Sequence, residues 1–402
     1  MAYAHSPRFL DADTHMMERP DWIAEFADPS IRDRLMPFGG PNNTEGLRFV
    51  EDAIKRFDKR RSDDAIAAKA EADFLSMKQK GWHGMGAFDA AERKRVNDLL
   101  GFDAYIVFPT EAFTQVIAAK EPDVFVGGVR ALNRGLEAFC GEDPRMMGTA
   151  YVPFGTGPEQ ASQLLEEAIS AGFRVLLIDT VAPEDGISFT HPDYDPLWAR
   201  IQDAELSCVL HIGAQGGPYR AVPKSFLNNN RERERGGGGE GPSHALGYMG
   251  MPFNAELFLS AMIFDCVLER FPRLRIAAIE LGASWIISWM KQMDQAYKAF
   301  RKRQDLSHLK LLPSEYALRQ VWITAFAGED IGWLLAQGAG TQLMFSSDYP
   351  HHEGTDDPIG RFESTMENTT DDLKDQFYTN NFERFMGPEF AVSNHYSVEA
   401  NA

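Results

Sequence analysis

Cysteine is scarce in this chain: three residues in 402, Cys140, Cys208 and Cys266, odd in number and far apart. That excludes a disulfide framework or a thiolate metal site and fits reduced, buried thiols in a cytoplasmic protein. Positive charge is also short. Forty Lys and Arg against 59 Asp and Glu leave a formal net charge of -19. An acidic surface repels nucleic acid and anionic membrane, so neither is expected as a partner. No apolar run approaches the roughly 20 residues that a membrane helix needs. The opening MAYAHSPRFLDADTH lacks the charged start and apolar stretch of a secretory leader. No internal repeat is visible.

What remains is the composition of a soluble globular protein able to bury a core, with 44% hydrophobic residues and a mean hydropathy of -0.32. Short apolar runs recur at 9–13, 105–109, 146–152, 174–178, 207–211, 275–279, 320–324 and 342–345. Most are β-branched or aromatic and too short for a buried helix, so they read as strands. Helical patterns lie between them. In EQASQLLEEAISAG, Ala161, Leu164, Leu165, Ala168 and Ile169 fall at helical spacing before Gly172. In NAELFLSAMIFDCVLERFPRL the spacing predicts a helix that starts on Asn254 as N-cap and ends before Pro272. Eight strands alternating with helices predict an α/β fold, a (β/α)8 barrel. The rival doubly wound sheet lacks a G-x-G-x-x-G turn after its first strand.

Two stretches exceed barrel spacing inside what reads as a single domain over 1–402. Residues 16–104 carry helical charge patterns and predict a helical cap inserted after strand one. Residues 218–252 contain RERERGGGGEG and read either as solvated mobile backbone or as an active-site lid. The tail beyond Gly387 reads as surface packing.

Chemistry-bearing residues gather at strand ends. In LDADTH, Asp13 and His15 stand at i and i+2, so a strand sends both to one face. A carboxylate beside an imidazole suits a borderline divalent cation. Asp11 shares that face but lies lower, where a structural hydrogen bond is expected. His211 ends SCVLHIG, and a polar ring after apolar residues needs a partner. Asp348 ends LMFSSD. Each residue alone has a bland reading, such as a solvated strand end or a satisfied core histidine. Four candidate ligands at four strand tops form a constellation.

The stretches FLDADTHMMERP, FDAYIVFPT, GFRVLLID, HPDYDPLWARIQDAELSCVLHIGA, ERFPRLRIAAIELGASWIISWMKQMD and LMFSSDYPHHEG run in order across the chain. In them the sequence resembles the amidohydrolase-related enzymes typified by aminocarboxymuconate semialdehyde decarboxylase and its aromatic-acid decarboxylase and hydrolase relatives. The resemblance implies a distorted barrel holding one divalent metal, and a homodimer. The family's H-x-H pair falls on Asp13 and His15, its strand-five histidine on His211 and its strand-eight aspartate on Asp348. Asp13 replaces the first histidine, and Glu280 stands where the founding decarboxylase has a catalytic histidine. Asp13 and Asp348 already neutralise a divalent charge. Glu280 is therefore expected either to join the metal or to carry a proton with a raised pKa, with a salt-bridged structural carboxylate as the plain alternative.

Oxygen-rich ligation favours Zn2+ or Mn2+, with Fe2+ as a third choice. The expected catalytic residues are Asp348, Glu280 and His211. The leading expectation is decarboxylation of a small aromatic or unsaturated organic acid. Metal-hydroxide hydrolysis of an amide, ester, lactone or carbon–carbon bond uses the same residues, and a catalytically inactive binding barrel is a third reading. Weaker substrate-binding candidates are His83, Arg220, Lys224, His351, His352 and Trp285. For each, a surface or packing role is the competing reading: His83 as cap support, Trp285 with Trp289 as helix packing. His191 reads as structural.

Overall fold

The computed structural model describes residues 2–4, 8–40, 43–74, 76–180, 186–213, 226 and 245–390. Its eight strands are β1 (Leu10–His15), β2 (Ala104–Phe108), β3 (Met146–Tyr151), β4 (Val175–Leu177), β5 (Ser207–His211), β6 (Arg275–Ile279), β7 (Val321–Thr324) and β8 (Leu343–Met344). They follow one another in chain order as an eight-stranded sheet, with helices between successive strands, the (β/α)8 barrel expected from the alternation. The strands at 207–211 and 275–279 fall where the apolar runs put them; the others shift at their ends by one or two residues. None of the helices of 18 or more residues among the described residues is apolar enough to cross a membrane.

The chain forms two compact units. The first runs to Tyr151 and includes Ser346–Arg361. It holds β1, β2 and β3 in parallel register, with a slip in β1 between Asp11 and Thr14. The stretch after β8 returns to β1 within this unit: Asp348 N–H donates to Asp13 O at 2.9 Å and His15 N–H to Tyr349 O at 2.8 Å. Residues 16–104 are helical as expected, with longer helices at Thr44–Ser62, Asp64–Phe74 and Ala90–Leu100. Asn43 and Asp89 cap the first and third, accepting from Gly46 N–H and Glu92 N–H. Met17, Ala53, Ala87 and Phe88 form a small core there, with Ile54, Phe57 and Trp82 packed on it.

The second unit, Val152–Phe345 with the chain from Phe362, holds β4 to β8 in parallel. The helix expected at 159–172 spans Pro158–Ser170 and buries Ala161, Leu164, Leu165 and Ala168. Gly172 then turns the chain at φ 83. The helix expected from Asn254 to before Pro272 is two helices, Phe253–Phe264 and Val267–Arg270, and Pro252 rather than Asn254 takes the N-cap position. The break coincides with a long-range contact and a left-handed residue. The Asp265 carboxylate accepts the Thr190 hydroxyl at 2.7 Å, and Cys266 adopts a left-handed conformation at φ 66 that closes the first helix. The proposed lid at 218–252 lies outside the described residues apart from 226 and the short helix that begins at Ala245.

Candidate functional site

In the first unit three acceptor atoms converge at the end of β1. His15 Nε2 lies 3.3 Å from Asp13 Oδ1 and 3.7 Å from Asp348 Oδ1. Asp13 and His15 are buried, and the Asp348 side chain is 14% exposed. Asp11 sits lower, as expected: its Oδ1 accepts from Ser347 N–H at 2.9 Å and Asp13 N–H at 3.2 Å. Burial pushes its carboxyl up to about 8.

Thr110, one residue beyond the FDAYIVFP run, decides the protonation pattern. Its hydroxyl donates its one proton to Met16 O at 2.8 Å. The same oxygen lies 3.3 Å from His15 Nδ1 and 2.9 Å from His351 Nε2, so it accepts from both rings. His15 therefore carries its proton on Nδ1, and in the neutral ring Nε2 presents a lone pair to Asp13 and Asp348. His351 is fully buried and stacks on His15 at 3.7 Å. Its Nδ1 lies 3.1 Å from Asp348 Oδ1. Thr110 is fixed in turn by Glu18, whose buried carboxylate accepts the N–H groups of Thr110, Glu111 and Ala112 at a helix start. Arg93, also buried, donates to His15 O at 2.7 Å.

The second unit brings His211 and Glu280 together. His211 Nδ1 donates to Ile212 O at 2.8 Å, which leaves Nε2 as an acceptor, 3.3 Å from Glu280 Oε2. Both side chains are buried. A lone pair facing an ionised carboxylate at that distance is repulsive, so a proton or a cation must sit between them. The same holds for His15 Nε2 between Asp13 and Asp348. Both groups are thus donor sets for a positive ion, and imidazole nitrogens with carboxylates suit Zn2+ or Mn2+.

Glu280 and Asp348 share a further property: both are non-glycine residues in left-handed backbone, at φ 55 and φ 53. Such backbone is strained and persists only where its surroundings hold it. At Glu280 the support is Thr324 Oγ1, 3.1 Å from the Glu280 N–H. The next turn is held by Glu329, which accepts from the N–H groups of Ala283, Ser284 and Phe326 and the Ser284 hydroxyl.

The weaker candidates separate. His83 Nε2 lies 3.2 Å from Asp52 Oδ2, and its ring meets Phe49 edge-on, both partners in the cap helix Thr44–Ser62. Trp285 Nε1 donates to Gly282 O, and its ring packs against Trp289 at 5.5 Å. His351 turns Nε2 to Thr110 and holds Nδ1 3.1 Å from Asp348 Oδ1, whereas His352 is exposed beside Gly81. His191 Nδ1 accepts from Asp193 N–H, a structural turn. Arg220 and Lys224 lie outside the described residues. Thr110, Glu18 and Glu329 were not singled out in the sequence. Thr110 ends FDAYIVFPT and could have been flagged by its place at a strand end; the two glutamates carry no such signal.

No curated protein matches the chain by sequence search. Solved structures do match its fold. An amidohydrolase from Mycobacterium avium subsp. paratuberculosis is 16% identical, with 96% of this chain and 100% of that chain covered at a TM-score of 0.71. 5-Carboxyvanillate decarboxylase from Sphingomonas paucimobilis is 18% identical, covering 95% and 99% at 0.60. A dihydroxybenzoic acid decarboxylase from a Polaromonas species, solved with bound manganese and the inhibitor 2-nitroresorcinol, is 15% identical, covering 95% and 97% at 0.58. Identities this low speak for the fold alone. The sequence itself goes further, because the amidohydrolase family model matches residues 11–387, from the aspartate below Asp13 to the glycine that closes the helix Asn381–Met386. By that match the chain belongs to the amidohydrolase family.

Proposed function

We propose that Asp13, His15, His211 and Asp348 hold one divalent cation with Glu280 beside it, and that the enzyme removes carbon dioxide from a small aromatic or unsaturated carboxylic acid. The observation that carries this reading is the facing of buried acceptors, in His15 with Asp13 and Asp348 and in His211 with Glu280. Asp13, His15, Asp348 and His351 in the first unit, and His211 and Glu280 in the second, all belong to groups of residues that could hold an ion. Manganese is the first choice of ion, supported by the manganese in the dihydroxybenzoic acid decarboxylase, with Zn2+ and Fe2+ next. We read the assembly as a cytoplasmic homodimer, on the family resemblance.

A bound divalent cation supplies positive charge that grips substrate oxygens and stabilises developing negative charge. The chain's own residues manage the proton. A proton carried by Asp348 or Glu280 passes to the ring carbon that bears the carboxylate. The carbon–carbon bond then breaks, its electron pair restores the conjugated system, and carbon dioxide leaves. Glu280, ionised or protonated beside His211, is the second group able to hold a proton.

Manganese-loaded protein is expected to release carbon dioxide from at least one member of a panel of hydroxybenzoates and muconate-like acids. Absence of release, together with oxygen-18 from water entering a product carboxylate, would replace this reading by hydrolysis. Thr110 provides a second check. Thr110→Val removes the acceptor that fixes the His15 tautomer and is expected to weaken metal retention ~10–100-fold, while Thr110→Ser retains it. Dialysis against metal buffers with elemental analysis reads this, and equal retention in the valine variant would refute the tautomer role.

A further inference from the structure

Lys80 lies in the cap loop before the turn Gly81–His83 and is only 8% exposed. Its Nζ has no hydrogen-bond partner, and no carboxylate among the described residues lies within ion-pair range. An ammonium has three donors and no acceptor, so burying it with all three unused is costly. Its Nζ lies 5.3 Å from the centroid of the Tyr349 ring, and Arg93 lies over that same ring at 5.2 Å. A cation–π contact satisfies none of the three N–H groups.

The loop is held in place. Gly81 N–H donates to Pro350 O at 2.6 Å, and a Cβ on Gly81, at φ 58, would come within 2.8 Å of His352 Nε2. Lys80 is thereby tied to the segment that carries Asp348. Burial pulls the ammonium down to about 8, against the attraction of Asp348, Asp356 and Asp11.

We propose that Lys80 binds the anionic group, a carboxylate or phenolate, of the small organic acid that this site acts on. The assignment rests on the organic-acid reading above. The donors point to an acceptor that the described residues do not supply, and the location beside the Asp348 segment makes a substrate anion the matching chemistry. Neither charge pattern nor spacing marked this residue, although its neighbour His83 was noticed.

The test uses manganese-loaded holoenzyme, the same panel of hydroxybenzoates and muconate-like acids, and their primary amides. Lys80→Met is expected to weaken acid binding and raise KM ~10–100-fold, the loss of a charged hydrogen bond. Amide binding and metal content should stay as in the wild type, and Lys80→Arg should recover part of the loss. In the wild type, a crystal structure with a bound acid should place one of its oxygens within about 3 Å of Lys80 Nζ, a result that does not depend on the variants folding. Turnover with unchanged KM in Lys80→Met, or a bound acid whose oxygens all lie out of reach of Nζ, would overturn the Lys80 assignment alone. A wild type that binds none of the acids would overturn the organic-acid reading, and this proposal with it.

Discussion

His211→Ala is expected to lose its metal and to lower turnover ~1,000-fold or more, the scale set by several kcal/mol of charge stabilisation at about 1.36 kcal/mol per factor of ten. His211 ends β5, and its Nδ1 is committed to Ile212 O, so Nε2 has one direction in which to act. Elemental analysis should find about one ion per wild-type chain and little in the variant. Chelation of the wild type should reproduce the loss, and manganese should restore activity to the wild type only. Metal binding should also stabilise the wild type, by about 2.7 kcal/mol at 100 times the dissociation constant, because the ion relieves facing acceptors that exist only in the folded state. Full activity after chelation would refute the metal-centre proposal.

Glu280→Gln is expected to retain metal yet lose turnover ~100–10,000-fold, the range for removing a general acid or base. Its partner experiment concerns stability. Glu280 sits at φ 55, a conformation that costs an L-residue about 1–2 kcal/mol and costs glycine little. Glu280→Gly should therefore leave the metal-free protein at least as stable as the wild type, with an expected gain of about 1 kcal/mol in denaturant unfolding. A salt-bridged structural carboxylate makes the opposite forecast, with lost stability in both variants and little change in rate for the glutamine. The two measurements together decide between these roles.

Much of the architecture was legible in one dimension. Strands β5 and β6 fall on their apolar runs because a buried parallel strand is apolar throughout and short, whatever its neighbours are. The helix Pro158–Ser170 announced itself by periodicity and by Gly172 beyond it. The helix expected from Asn254 to before Pro272 failed at Cys266, because Asp265 bonds Thr190, 75 residues away, and local periodicity contains no such partner.

The site divides along the same line. Asp13, His15, His211 and Asp348 could be named from sequence because strand ends and alternation are local properties, and a polar residue closing an apolar run is visible without coordinates. Glu280 was noticed through family resemblance, but its left-handed backbone was not. His351 looked like a loop histidine, and only the folded chain stacks it on His15 and places both rings on the single hydroxyl of Thr110. Lys80 read as one charge in a charged cap, and its burial without a hydrogen-bond partner emerged only with the Tyr349 ring beneath it. The sequence by itself therefore determined the barrel class and the strand positions, and named the candidate ligands. The tertiary structure alone decided tautomers, strain and unsatisfied charge, because these depend on contacts between residues tens to hundreds of positions apart.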